Sequence, residues 1–189
     1  MTTTNRIPAG LLDEGVEFFT VVEDGVRRVK ALMGGMVMPF SRVPESKKDI
    51  LRNALRDNPT KRKAMERIAG PCEDSALEQF VICNYGALND DPDIDAHGNL
   101  SEPEYAPCPN RATCTHRGKG CDNLRVYGTQ LSARQSDVFS LSVHDNKTIA
   151  DILFISVETV KKHMQTIQDE TGLSSKPQMV QYATSKGII

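Results

Sequence analysis

The sequence predicts an α+β fold, mostly α, with an N-terminal β-hairpin plus helices, a Cys-rich loop and a C-terminal domain of four helices. Three observations carry that prediction. An Asp-Gly pair separates two β-rich runs near the start, apolar residues recur at helical intervals from Pro44 onward, and Cys108, Cys114 and Cys121 crowd a polar stretch with no core of its own.

The hairpin is read from "EFFTVVEDGVRRVKAL", where Glu17 to Val22 and Val26 to Leu32 flank Glu23, Asp24 and Gly25. "PESKKDILRNALRDNP" then repeats Ile50, Leu51, Ala54 and Leu55 helically and stops before Pro59. Thr60 is expected to cap a basic helix, "KRKAMERIAG", that ends at Gly70. A third helix over about Asp74 to Tyr85 should bury Leu77, Phe80, Val81 and Leu88. The acidic loop that follows, "NDDPDIDAHGNLSEPEY", reads as irregular and solvated. A calcium loop starting at Asp93 fits poorly, because His97 stands where an oxygen ligand belongs and Pro103 interrupts the exiting helix.

Composition limits what such a chain can be. It has 189 residues, 39% hydrophobic and 25% charged, with no Trp and 5% aromatic residues, which favours small helix-packed domains over one large core. No apolar run approaches the roughly 20 residues that span a bilayer, and the start lacks an apolar leader. A cytoplasmic protein is expected, with no membrane partner. Five cysteines, an odd number, suit reduced thiols or metal ligands better than a disulfide framework.

Net charge is −2, but it is segregated: 13 Lys/Arg against 9 Asp/Glu in residues 1–70, none against 9 in 71–107, 4 against 1 in 108–130, and 6 against 6 in 131–189. Local field, not the total, decides what approaches a surface. Three parts are expected: 1–107, an N-terminal hairpin and helical domain with the acidic loop; 108–130, a Cys-rich metal-binding junction; and 131–189, the four-helix domain.

In "CPNRATCTHRGKGC" the spacings and the wealth of Pro, Gly and charge require something other than packing to hold the chain. A tetrahedral thiolate site would do so, since metal-binding energy then acts as folding energy. Cys108, Cys114 and Cys121 are the candidate ligands, with Cys83 as the fourth and Cys72, His97 or His116 as substitutes. Zinc is the expected metal, although no C-x2-C to C-x4-C pair is present; an iron–sulfur cluster suits the wider gaps equally well, and thiols without metal are the remaining alternative. Arg111, Arg117 and Lys119 would offset the thiolate charge.

From Leu131 the local signals agree with one another. "LSARQSDVFSLS" has Ser132 and Gln135 in capping-box spacing, with Val138, Phe139 and Leu141 facing a core. "NKTIADIL" starts with Asn146 as cap and presents Ile149, Ala150, Ile152 and Leu153. After "FIS", Ser156 caps a helix whose Val157, Val160, Met164 and Ile167 form one stripe, and Gly172 ends it. Ser174 or Ser175, with Pro177 in the first turn, opens a fourth helix that ends at Gly187. The second and third of these helices describe a helix-turn-helix whose later member can enter a DNA major groove. Its polar face is Lys161, Lys162, Gln165 and, at the edge, Thr159; lysine can donate to guanine or phosphate, and glutamine can pair with adenine.

Residues 131–189, through "LSARQSDVFSL", "NKTIADILFISVETVKKHMQTI" and the closing Gly-Ile-Ile, resemble the LuxR-type (NarL/FixJ-like) DNA-binding domain. The resemblance implies a four-helix domain that binds double-stranded DNA through its third helix and often forms a homodimer through its fourth. It places Lys161, Lys162 and Gln165 as base-reading residues. Thr159 and His163, with Lys147 and Thr148, would touch phosphate or fix the helix in the groove; His163 has a hydrogen bond within the domain as its alternative role. Three features depart from the pattern: Gln135 stands for the usual glutamate, the connection "SVHDNK" is about two residues short, and the domain's charge is balanced.

The first two thirds show no receiver-like aspartate pattern and no autoinducer-binding pattern; their place ahead of such a domain implies signal reading, dimerisation or partner binding. A sequence-specific transcriptional regulator with a metal-binding Cys cluster is the leading expectation. The rivals are a sigma-factor region four that partners RNA polymerase, and a structural or interaction protein of a virus or mobile element. No nucleophile elbow, phosphate loop or HExxH motif is present, so an enzyme is not expected.

Overall fold

The computed structural model describes residues 8–11, 14–106, 108–111 and 113–189. Residues 1–7, part of the start read for an apolar leader, lie outside the described residues. The chain divides into two compact units, Met1–Asp122 and Asn123–Ile189. The division falls inside the stretch expected as a junction, so that Cys108 to Asp122 goes with the first unit and 123–130 with the second.

In the first unit the expected hairpin is the start of a three-stranded antiparallel meander, β1 (Val16–Glu23), β2 (Val26–Met33) and β3 (Met36–Pro39). Two tight turns set its register. Asp24 and Gly25, with φ of 51° and 75°, place Glu23 opposite Val26; Gly34 and Gly35, at 56° and 73°, place Met33 opposite Met36. Two successive positive φ values match the right-handed twist of flanking strands, and the second pair makes a hairpin that the β-rich pattern alone did not announce.

A 3-10 turn (Phe40–Arg42) leads to α1 (Glu45–Arg56), α2 (Pro59–Ala69) and α3 (Glu73–Asn84). The cap of α2 is Asn58, whose side chain accepts from the Lys61 amide at 3.0 Å, and not Thr60. Pro59 explains the shift: it has no N–H, fits the first helical position, and moves the cap one residue before it. Val16, Phe18, Val29, Ala31, Leu51, Met65, Leu77, Phe80 and Val81 form the core, the strands supplying one face and the helices the cover. Leu88 lies past the end of α3 and is exposed, so it does not belong to the expected helical stripe.

The acidic loop is not simply solvated. It covers the open edge of β1, a task that some element must perform because an edge strand otherwise presents unpaired amides. The amides of Val16, Phe18 and Thr20 donate to Ile94 O (2.8 Å), Asp93 Oδ2 (2.7 Å) and Gly86 O (3.1 Å). Asp93 and Ile94 are buried in consequence, as is Glu17, which accepts from the Asn89 amide at 2.6 Å. Asp95 is occupied in a local turn, accepting from the His97 and Asn99 amides. Burial, with Glu104 and Asp91 nearby, outweighs the Asn89 amide and pushes the Glu17 carboxyl up to about 9. Asp93 is also raised, chiefly by burial and then by the charges of Glu104 and Glu17.

The second unit opens with a short ribbon, β4 (Arg125–Val126) and β5 (Thr129–Gln130), followed by α4 (Ala133–Ser140), α5 (Asn146–Leu153), α6 (Val157–Thr171) and α7 (Lys176–Ser185). Leu124, Val126, Leu131, Val138, Phe139, Ile149, Ala150, Val160, Met164, Ile167, Leu173, Met179 and Ala183 are its buried apolar residues. The capping box at α4 is present in both directions, Ser132 accepting from the Gln135 amide and Gln135 accepting from the Ser132 amide. Among the described residues no helix is long and apolar enough to cross a membrane.

Candidate nucleic-acid interface and cysteine cluster

The pair α5–α6 is built by two caps and one left-handed residue. Asp145, not Asn146, caps α5: one carboxylate oxygen accepts the amides of Lys147 and Thr148, both at 2.9 Å, and the other accepts the Thr148 hydroxyl at 2.9 Å. An ionised carboxylate holds two helix-end amides better than an amide side chain does, which favours the earlier residue. These hydrogen bonds, led by those from Thr148, hold the Asp145 carboxyl below its usual range. Phe154 closes α5 with φ 53° and ψ 49° and directs the chain into α6. Ser156 then accepts the Thr159 amide at 3.1 Å.

Along α6 the buried residues are Val160, Met164, Ile167 and Thr171, with Val157 half-buried, so the expected stripe faces inward. Its opposite face presents Glu158, Lys161, Lys162, Gln165 and Asp169 to solvent. Lys161 stands 3.3 Å from Glu158, and Gln165 donates to Asp169 at 2.8 Å; both contacts are exposed. Exposed pairs of this kind contribute little and exchange readily for a stronger anion. Thr159 shares its hydroxyl with Ser156 at 2.8 Å, and His163 is half-buried on the flank. Lys147 is exposed at the start of α5, whereas the Thr148 hydroxyl is already given to Asp145. Ile152, expected toward the core, is exposed, as is Phe154.

Two positioning contacts escaped the sequence pattern. Lys176, at the start of α7, donates to His144 O and to Asn146 Oδ1 (3.2 Å), which ties the entry of α5 to α7. Burial lowers its ammonium pKa against the pull of Asp145. Gln135 donates through Nε2 to Glu170 at 2.9 Å, linking α4 to the last turn of α6. No spacing rule connects residues so far apart in the chain.

In the first unit, Cys83, Cys108, Cys114 and Cys121 line one cavity of about 20 Å³, together with Ile68, Arg111, His116, Arg117 and Gly120. Cys83 sits on the last turn of α3, where Gln79 donates to its Sγ at 3.2 Å. Burial pushes its thiol up to about 11, the neighbouring Cys121 and Cys108 adding to the effect. Arg111 is buried; its Nη1 lies 3.8 Å from Cys121 Sγ, and its Nη2 donates to Ala106 O at 2.7 Å. All five cysteines are free thiols. Cys72, exposed at the start of α3, and His97 do not line the cavity. Among the described residues, no group of three or more His, Cys, Asp or Glu side chains stands arranged to hold a metal ion.

The second unit is thus a four-helix domain that presents a polar, lysine-bearing helix from a helix-turn-helix. Residues 129–183 match the family model of bacterial regulatory proteins of the luxR family, GerE. The same region is 41% identical over 61 residues to the oxygen regulatory protein NreC of Staphylococcus aureus, in strains JH9, JH1 and NCTC 8325 among others. That alignment covers 31% of this chain and 28% of NreC, so the chain spans well under a third of the relatives it matches. No solved structure matches the chain.

Proposed function

We propose that the chain is a sequence-specific transcriptional regulator that lays α6 in the major groove of double-stranded DNA. The observation that carries this reading is the exposed face of Lys161, Lys162 and Gln165, directly opposite the buried stripe of the same helix in a luxR-family domain. Lys161 and Lys162 donate to guanine edges or phosphate, and Gln165 pairs with adenine once it leaves Asp169. Thr159, His163, Lys147 and Thr148 flank that face and meet phosphate or hold the helix at its depth. The reading includes a homodimer, through α7 or through the first unit, on half-sites about one helical turn apart. It includes a cytoplasmic location and no catalytic step.

Ile152 and Phe154, apolar and exposed beside α6, favour a second partner at the same end of the domain, and RNA polymerase is that partner in this reading. A gel shift of the full chain on random duplexes across salt concentrations tests the DNA contact, and selection from a randomised pool then gives the operator. Binding that weakens steeply with salt supports the reading, because displaced counterions drive it. Absence of any shift at low salt would instead assign the domain to protein packing. Transcription from core polymerase without another sigma factor would assign it to a polymerase subunit.

A further inference from the structure

The stretch 108–122 contains no Leu, Ile, Val, Met or Phe, yet it is fixed against α2 and α3. Polar contacts hold one side of it. Asn84, fully buried, donates to Gly120 O at 2.9 Å and accepts from Lys61 at 2.9 Å, while Lys61 also reaches Asp122 at 3.0 Å. Gly120 packs so closely that an added Cβ would stand 2.6 Å from the Met65 methyl. The other side holds the cavity, and its walls carry four of the chain's five cysteines, brought there from α3 and from three successive turns of the loop.

We propose that Cys83, Cys108, Cys114 and Cys121 bind a single zinc ion as a four-thiolate site, which clamps the 108–121 loop onto the end of α3. Each thiol gives its proton to solvent as its sulfur bonds the metal, so four protons leave for one Zn²⁺ and the centre carries a net charge of −2. Arg111 and Arg117, both in the cavity wall, offset that charge. The Arg111 guanidinium already points at Cys121, and Gln79 at Cys83, the hydrogen bonds that thiolate ligands require from their surroundings.

Zn²⁺ takes four thiolates at about 2.3 Å, and four cysteines line this cavity; an iron–sulfur cluster also takes four cysteines, and the metal analysis below separates the two. The thiols line this space without standing arranged around one point, so metal binding requires at least some of them to change χ1 well. His116, also in the wall, is the one imidazole that could replace a thiolate.

The test uses the full chain purified without added metal. Elemental analysis should give one zinc per chain, and cobalt exchanged into the site should show the visible bands of a tetrahedral thiolate complex. Cys83→Ser, Cys108→Ser, Cys114→Ser and Cys121→Ser should each lower zinc content severalfold, while Cys72→Ser should retain it. Because a ligand variant can fail to fold, iodoacetamide labelling of the unaltered chain provides a second reading. Cys72 should react alone, and a chelator should expose the other four together. Iron with acid-labile sulfide, two disulfides in place of thiols, or equal labelling of all five cysteines before chelation would each overturn the proposal. So would full zinc retention in Cys83→Ser.

Discussion

Glu17→Gln should stabilise the protein at neutral pH. Glu17 is completely buried on β1, its Oε1 accepts the Asn89 amide at 2.6 Å, and among the described residues its Oε2 accepts no hydrogen bond. With its pKa at about 9 against an ordinary 4.5, the carboxyl is protonated in the folded state at pH 7 and ionised in the unfolded chain. Its contribution to stability is therefore whole below pH 4.5 and is lost as pH rises toward 9. Taking up the proton at pH 7 costs about 3 kcal/mol, at roughly 1.4 kcal/mol per pH unit. Glutamine keeps the acceptor for Asn89 and needs no proton. Its extra N–H, if left without an acceptor, returns about 1 kcal/mol or more of that gain.

A net gain of about 2 kcal/mol is therefore expected at pH 7, shrinking to nothing or reversing near pH 4. Urea unfolding of the full chain at several pH values between 4 and 8 measures it, with exchange of the Asn89 amide as the local reading. Asp93, Glu104 and Asp91 share the surroundings of Glu17 in both proteins, so the difference between the two curves is the quantity that matters. A difference that is flat across this range would show that Glu17 carries no proton in the folded state.

Other consequences are open to direct measurement. Lys161→Ala and Lys162→Ala should each cost about 1–3 kcal/mol of duplex affinity if they read bases; unchanged circular dichroism with lost binding distinguishes this from unfolding. Phe154→Gly should raise resistance to urea by about 1 kcal/mol, because Phe154 adopts the left-handed conformation with 94% of its surface exposed. Ile167→Ala, at a fully buried site, should cost about 2–5 kcal/mol. Gln135→Glu should destabilise the second unit by setting a carboxylate against Glu170, and adding Glu170→Lys should restore it; failure of the rescue would show that the 2.9 Å contact is incidental.

What could be seen in the sequence was what depends on neighbours within a few residues. The Asp-Gly turn, the Ser132 and Gln135 capping box, the Ser156 cap and the Val160, Met164, Ile167 stripe all follow from short spacings, and all are present. The misread caps at Asn58 and Asp145 are errors of one or two residues, resolved by proline geometry and by carboxylate charge. The larger omission was the acidic segment. Its composition suggested water, but the amides of β1 needed acceptors, and residues about 70 positions away supplied them. For the cysteines, spacing alone left Cys72, His97 and His116 as alternatives to Cys83. Only the packing of the loop against α3 placed Cys83 in the same wall as the other three.

The balanced charge of the C-terminal domain, which as composition counts against a phosphate-binding surface, has a different weight once its carboxylates are placed. Asp145 is tied to the first turn of α5, where it faces three local donors. Asp137 lies 3.8 Å from Arg134, and Glu170 accepts from Gln135. These carboxylates serve the α5 cap, a pair within α4 and a contact between α4 and α6, and they are not spread over the face that α6 presents. On that face Glu158 and Asp169 remain, each in an exposed contact with Lys161 or Gln165 that an approaching phosphate or base edge can replace at small cost. Lys162 needs no such exchange, since among the described residues it makes no ion pair. With Lys161 and Lys162 against Glu158 and Asp169 the exposed face of α6 is balanced as it stands, so removing Glu158 should leave it cationic and strengthen duplex binding, with the salt dependence in the same direction. Weaker binding by Glu158→Gln would mean that the Lys161–Glu158 contact orients the lysine and does not merely compete for it.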